Sequence, residues 1–156
     1  MQYEKYGNII SSSDKLEFQF ESHGPKGKIK KLIQFTPTLN KEIFNLAFGN
    51  ITKDGNIDDE TANDNQDRNK ILATVAATVY EFTSSYPEKY IFFCGSTPER
   101  TRLYRMALTV NIDELKKDFY IYGVLKGIDT FEKVPFSKGV DYFGFMVKRK
   151  RVNFIT

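Results

Sequence analysis

The sequence predicts an α+β fold, one mostly antiparallel sheet with two main helices packed on one face. Three observations predict it. Apolar and polar residues alternate with a period of two through much of the first third of the chain. Two later segments carry helical spacing, each followed by an apolar or alternating run. Aromatics reach 15%, as 14 Phe and 9 Tyr without Trp, and strands favour Phe and Tyr. At 156 residues with 40% hydrophobic content, and with no repeat, linker or low-complexity tract, residues 1–156 read as one domain.

The elements follow in order. Leu16, Phe18 and Phe20 alternate with Glu17, Gln19 and Glu21, which predicts a half-buried strand. His23-Gly24-Pro25-Lys26-Gly27 is turn chemistry. Ile29, Ile33 and Phe35 continue the pattern to Thr36, so residues 16–36 form a long hairpin that Pro37 stops. Phe44, Leu46 and Phe48 alternate as a third strand, and after the Asp54-Gly55 turn Ile57–Ala62 reads as a short acidic edge strand. Polar Asn63–Asn69 ends this half, with Asp64 or Asn65 as the expected cap of the first helix.

That helix carries the stripe Ile71, Leu72, Val75, Val79 and Phe82, with Ala73, Ala76 and Ala77 allowing close approach to a sheet. It ends near Ser84 and Ser85, before Pro87. Tyr90–Cys94 is apolar on both faces and reads as a central strand. The second helix starts at Ser96-Thr97-Pro98-Glu99. Ser96 and Glu99 have capping-box spacing, and Pro98 suits a first turn. Leu103, Met106, Ala107 and Val110 are its expected buried face, Asn111 its break, and Asp113–Phe119 a short further helix. Tyr120–Leu125 is a strand, Lys126–Gly139 a loop with room for a short strand, and Tyr142–Lys150 the last strand. Phe143, Phe145 and Val147 should point inward there, and Tyr142 outward.

Composition narrows the function classes. One cysteine, Cys94, allows no intrachain disulfide, which fits a reducing compartment. The start lacks the apolar region of a signal peptide, and no apolar run approaches the roughly 18 residues of a membrane span. The expectation is a cytoplasmic protein without a membrane partner. Net charge is only +3, but six acids (Asp54, Asp58, Asp59, Glu60, Asp64, Asp67) crowd one stretch with no base among them. Elsewhere bases dominate, in Lys26, Lys28, Lys30 and Lys31 and again in Lys148, Arg149, Lys150 and Arg151. Such asymmetry marks either an anionic partner or a solvated mixed surface.

Residues 90–105 carry the most chemistry. An apolar strand breaks at Gly95 into a helix start followed by Arg100, Arg102 and Arg105. The first-turn N–H groups, Ser96, Thr97 and a guanidinium can hold a phosphate or carboxylate. Alternatively Ser96 and Glu99 satisfy those N–H groups and the arginines pair with surface acids. The basic strand end Lys148, Arg149 and Lys150 is expected to extend this surface. A second basic set, Lys28, Lys30, Lys31, Tyr142 and Arg151, could serve single-stranded nucleic acid, with lysines on phosphates and tyrosine on a base. The bland reading of that set is aromatics in the core and lysines guarding a strand edge.

Catalysis and metal find little support. Counted from Asp54, the positions where a calcium loop needs Gly and Glu hold Asp59 and Asn65. Cys94 follows Ile91-Phe92-Phe93 in a strand expected to be buried, and the lone His23 sits in a turn. No nucleophile-elbow, zinc-protease, dithiol or phosphate-loop motif occurs. No catalytic residue, metal or cofactor is therefore assigned.

The segments Asn69–Ala76, Gly95-Ser96-Thr97-Pro98-Glu99-Arg100-Thr101-Arg102-Leu103-Tyr104 and Val147–Lys150 resemble a bacterial protein family of unknown function, over most of the chain from the first hairpin to Arg151. That resemblance implies no activity. The order antiparallel strands, helix, strand, helix, strand is similar to acetyltransferases of the GNAT type. There, the loop opening the first of these helices binds the pyrophosphate of coenzyme A through a Gly-rich basic stretch. Here that place reads Asn63-Asp64-Asn65-Gln66-Asp67-Arg68-Asn69, with no glycine and with acids that repel a pyrophosphate.

The leading expectation is a non-catalytic binding or interaction module, with an unknown protein or anionic partner and scope for homo-oligomers. The alternatives are a single-stranded nucleic-acid-binding protein and a GNAT-like acyltransferase or other anion-handling enzyme.

Overall fold

The computed structural model describes residues 3–58 and 65–151. Among them the alternating N-terminal part forms β1 (Ile10–Ser11), β2 (Glu17–Gly24), β3 (Gly27–Pro37), β4 (Ile43–Ile51) and β5 (Ile57–Asp58). Then come α1 (Arg68–Ser85), β6 (Tyr90–Phe93), α2 (Pro98–Asp118), β7 (Phe119–Lys126), β8 (Phe131–Pro135) and β9 (Gly144–Arg149). The strands make one mixed sheet in the order β1-β2-β3-β4-β6-β9-β7-β8, with β5 added to the far end of β4. Neighbours are antiparallel except β4 and β6, which run parallel. The fold is α+β as predicted.

Register turns the alternation into a core. Phe18 stands opposite Ile33, Ile33 opposite Phe48, and Phe35 opposite Leu46. These side chains, with Ile91, Phe145, Val147 and Ile121, face the helices. Phe82 of α1 lies flat on Phe35 with ring centroids 4.3 Å apart and also meets Phe44 and Tyr86. Tyr104 of α2 stands edge-on to Phe93. The buried hydroxyls of Thr74, Thr78 and Thr83 donate to backbone carbonyls about one turn back in α1, so these three side chains sit in the core with their hydroxyl protons bonded.

Several local expectations change. Asn111 does not break α2, which runs unbroken to Asp118. Its amide donates to Ala107 O, and asparagine's weak helix propensity is overruled by packing. The buried face of α2 is Leu108, Asn111 and Ile112, with Tyr104 and Leu115 beside them, whereas Met106 and Val110 are exposed. Two stripes with the same helical spacing coexist in that sequence, and the sheet selects the more aromatic one. The last strand starts at Gly144, two residues later than expected. Tyr142 is consequently buried, 7% exposed, and Phe143 is the outward ring at 39%. Gly123 makes room for this: a Cβ there would come within 2.2 Å of the Tyr142 ring. The expected edge strand is described only as Ile57–Asp58, and the rest of it lies outside the described residues. Among the described residues no helix is long and apolar enough to cross a membrane.

Candidate functional site

The parallel pair creates the site. β4 and β6 are in register only over Ile43–Asn45 and Tyr90–Phe92. Beyond that, β4 continues to Ile51 and pairs with β5, while β6 ends at Phe93 and leads into α2. The carboxyl ends of two parallel strands thus diverge, and a cleft of about 640 Å³ opens between them. Lys31 and Asn50 form part of its sheet wall, Asp67 and Arg68 the start of α1, and Ser96 and Arg100 the start of α2. Open sheets take ligands at the carboxyl ends of parallel strands, where the chain changes direction.

Local chemistry fixes the start of α2. A Cβ on Gly95 would lie 2.4 Å from Thr101 N, so only glycine lets the strand turn this sharply into the helix. The cap is Thr97, not Ser96: its side chain accepts from Arg100 N–H at 3.3 Å, and Pro98 takes the first helical position. With Thr97 as the cap, the third helical position is Arg100 rather than Glu99, so the cap moves by one residue and the expected Ser96–Glu99 capping box does not define the helix start. Ser96 Oγ instead accepts from Arg100 Nη1 at 3.2 Å. Thr101 Oγ1 accepts from Gly95 N–H at 2.9 Å and ties the strand end to the helix.

The helix turn divides the three arginines. Arg100 lines the cleft between β4 and β6. Arg102 and Arg105 line a second cleft, of about 560 Å³, on the side of the loop before β9. Arg105 pairs there with Asp141, while Arg102 is exposed.

Lys31 is a site residue that the sequence reading placed on the surface. It is 5% exposed, and its ammonium donates to Asn50 Oδ1, directly opposite on β4. Burial pushes it below the ordinary lysine range, the Asp67 carboxylate opposes that shift, and the Arg100 charge adds to it. The signal was present in the sequence, because Lys31 shares the inward phase of Ile33 and Phe35.

Around it, the start of α1 is locked to the first hairpin. Asn65, expected as a helix cap, instead donates to Ser22 Oγ and Gly27 O and accepts from Lys26 N–H. Asp67 stands at the N-cap position without capping; its carboxylate accepts from Ser22 and from the Tyr6 hydroxyl. Burial first, then Asp67, raises the Tyr6 phenol above its usual range. Asp64, the other expected cap, lies outside the described residues, as do Asp59 and Glu60 of the acidic loop.

The remaining expected site residues do not join this cleft. Lys148 stands opposite Tyr90, at the start of β6, whereas α2 begins beyond the end of that strand. The basic strand end and the helix start are therefore at opposite ends of the sheet. Arg149 is engaged in structure: its guanidinium lies 4.9 Å from the Tyr80 ring centre and donates to Thr83 Oγ1 at 2.9 Å. Burial, then the hydrogen bond to Asp118, pushes the Tyr80 phenol well up. Lys150 donates to Lys116 O, and Arg151 pairs with Glu88. Lys28 and Lys30 are exposed on the hairpin, at the cleft end of the sheet. Tyr142, expected to stack on a base, is in the core, where its hydroxyl accepts from Ser137 N–H at 2.9 Å. Lys28, Lys30, Lys31, Tyr142 and Arg151 thus form no common surface. Cys94 follows the end of β6, half-buried. Among the described residues no group of three His, Cys, Asp or Glu is placed to hold a metal ion.

A family model described as a family of unknown function (DUF6934) matches residues 2–150. No curated protein and no solved structure matches the chain.

Proposed function

We propose that this chain, which belongs to the DUF6934 family of unknown function, is a binding module for a small molecule bearing one carboxylate or phosphate. Its seat is the cleft between the diverging ends of β4 and β6. One observation carries the reading: two helix starts and the nearly buried Lys31 border one cleft of about 640 Å³. That volume suits a small ligand, and helix N-termini favour negative charge. Lys31, Arg68 and Arg100 are balanced by Asp58, Asp67 and Glu99 along the same walls. Near-neutral walls favour a singly charged group over a polyanion.

The test is thermal unfolding with inorganic phosphate and a panel of small carboxylic acids. At least one should raise the melting temperature, and Lys31→Met with Arg100→Gln should abolish the shift. Arg102→Glu, which faces the other cleft, should leave it intact. A flat response across the panel, or an equal loss in Arg102→Glu, rejects the reading.

Acyl transfer in the same cleft is the second reading. It is favoured by the order of elements, antiparallel strands, α1, β6, α2 and β7, which is similar to GNAT-type acetyltransferases. Against it, acidic Asp67 stands at the start of α1, the helix start that binds a pyrophosphate in that family, and no glycine loop precedes α1. Co-purified coenzyme A, found by mass spectrometry, or a thermal shift with acetyl-coenzyme A would favour transfer over simple binding.

A further inference from the structure

The sheet has a second face, opposite the helices, and its two halves differ. On β2, β3 and β4 the outward rows read Glu17, Gln34 and Ala47, then Gln19, Leu32 and Gly49: polar and small residues around a buried Leu32, with no Phe or Tyr among them. On β6, β9, β7 and β8 the outward rows change character. Phe92, Met146 and Tyr122 stand side by side across three strands, and Tyr90, Lys148 and Tyr120 form the next row. Lys133 stands opposite Val124, and Phe131 opposite Lys126. Phe143, just before β9, stacks on Phe92 at 6.3 Å and meets Phe131 at 5.3 Å. Among the described residues, no acid occupies an outward position on these four strands.

The lysines lie over the rings. Lys133 Nζ is 4.3 Å from the Tyr90 ring centre and 4.4 Å from that of Tyr122. Lys148 covers Tyr90 from 4.9 Å, Lys126 sits 5.1 Å from Phe143, and Lys150 5.3 Å from Tyr120. Tyr120, Phe131 and Phe143 remain exposed. Packing within the chain does not call for them, because they face away from both helices.

We propose that this aromatic and basic half of the helix-free face binds single-stranded nucleic acid. The exposed rings of Tyr120, Phe131 and Phe143 offer stacking surfaces for unpaired bases of any sequence, and the lysines over Tyr90 and Tyr122 supply ammonium groups to phosphates. Two alternatives fit the same face less well. A second copy of the chain, docked symmetrically, would set these lysines against their own images. A duplex hides its base faces and leaves the rings without a counterpart. Strands about 4.8 Å apart make four of them roughly 14 Å wide, room for a short run of nucleotides. This set differs from the hairpin lysines and Tyr142, and it lies across the sheet from the cleft, so its fate is independent of the ligand proposed there.

The test is fluorescence anisotropy with labelled oligo(dT) and oligo(U), the same sequence as a duplex, and two salt concentrations. Binding of either single strand at about 50 mM salt should weaken tenfold or more by about 200 mM. Lys133→Glu with Lys148→Glu should abolish it. Tyr120→Ala with Phe131→Ala, both exposed and so safe for folding, should weaken it about tenfold. Lys28→Glu with Lys30→Glu should change it little. Absence of binding at low salt overturns the proposal. So does a duplex bound as tightly as the single strand, affinity indifferent to the Tyr120 and Phe131 truncations, or a dimer in sedimentation that those truncations dissolve.

Discussion

Both faces of the central sheet carry aromatic rings, yet only one of them is a core. On the helix side, Phe35 and Phe82 meet at 4.3 Å and are sealed by α1. On the other side, Phe92 and Phe143 meet at 6.3 Å, and lysine side chains lie over the neighbouring rings. The residue types are alike; the covering differs. Period-two alternation tells which side chains share a face, and only the helices decide which face is dry. An aromatic residue is thus evidence for a strand before it is evidence for burial.

Truncation separates the two faces most sharply. Phe82→Ala should cost about 3–5 kcal/mol, because Phe82 is fully buried among Phe35, Phe44 and Tyr86. Phe131→Ala, on the exposed side, should stay within about 0.5 kcal/mol. Urea denaturation measures both. If Phe131→Ala approached the cost of Phe82→Ala, the second face would be covered after all, and the contrast would collapse.

Next in size is Gly123→Ala. The new methyl would collide with the Tyr142 ring, and strands in the middle of a sheet cannot yield easily. A loss of about 1–3 kcal/mol is expected. Gly123→Ala combined with Tyr142→Ala should then cost less than the sum of the two single changes. Full additivity in that cycle would deny the contact.

These positions also mark where the sequence was readable. The hairpin, the first helix, the apolar strand at Tyr90 and the α+β class all follow from spacing alone. The inward Lys31 was readable too, since it keeps phase with Ile33 and Phe35. What spacing could not supply was a strand's starting residue: moving the last strand from Tyr142 to Gly144 exchanged the roles of Tyr142 and Phe143. Nor could it choose between two equally periodic stripes on α2. Pairing was the larger gap. Only the parallel register of β4 with β6 places the helix start beside Lys31 and far from Lys148. Local sequence holds no record of which strands become neighbours.

The cap of α2 offers a test of about 1 kcal/mol. Thr97→Ala removes the acceptor of the Arg100 N–H and should destabilise by about 0.5–2 kcal/mol. Ser96→Ala should cost less, since Ser96 is exposed and Thr97 holds the N-cap position. The reverse order would restore Ser96 as the cap and the capping box with Glu99.

Lys31 provides a pH signature for the buried side of the sheet. Its folded value lies below the ordinary lysine range of about 10.4. Well below the folded value both states hold the proton, so the burial cost is fully present. As pH climbs from the folded value toward the ordinary one, the unfolded chain binds more protons than the native one, and stability rises. Lys31→Met should remove that rise, so wild type gains on the variant between neutral and alkaline pH. Parallel stability curves for the two proteins would show that Lys31 titrates as if exposed.

The smallest expected effect is at Arg105 and Asp141, beside the second cleft. The two form an ion pair, but the Asp141 side chain is 98% exposed. Water screens such a pair, and holding two mobile side chains costs entropy, so exposed pairs contribute about 0–1 kcal/mol. Asp141→Asn should therefore shift stability by a few tenths of a kcal/mol at most, and added salt should shrink the difference further. Arg105 has a second partner in Val140 O, which would keep the guanidinium in place after the change. A loss above about 1 kcal/mol would mean that this pair anchors the loop before β9. That loop carries Tyr142 into the core and Phe143 to the outer face, so a large value here would make both faces depend on one surface contact.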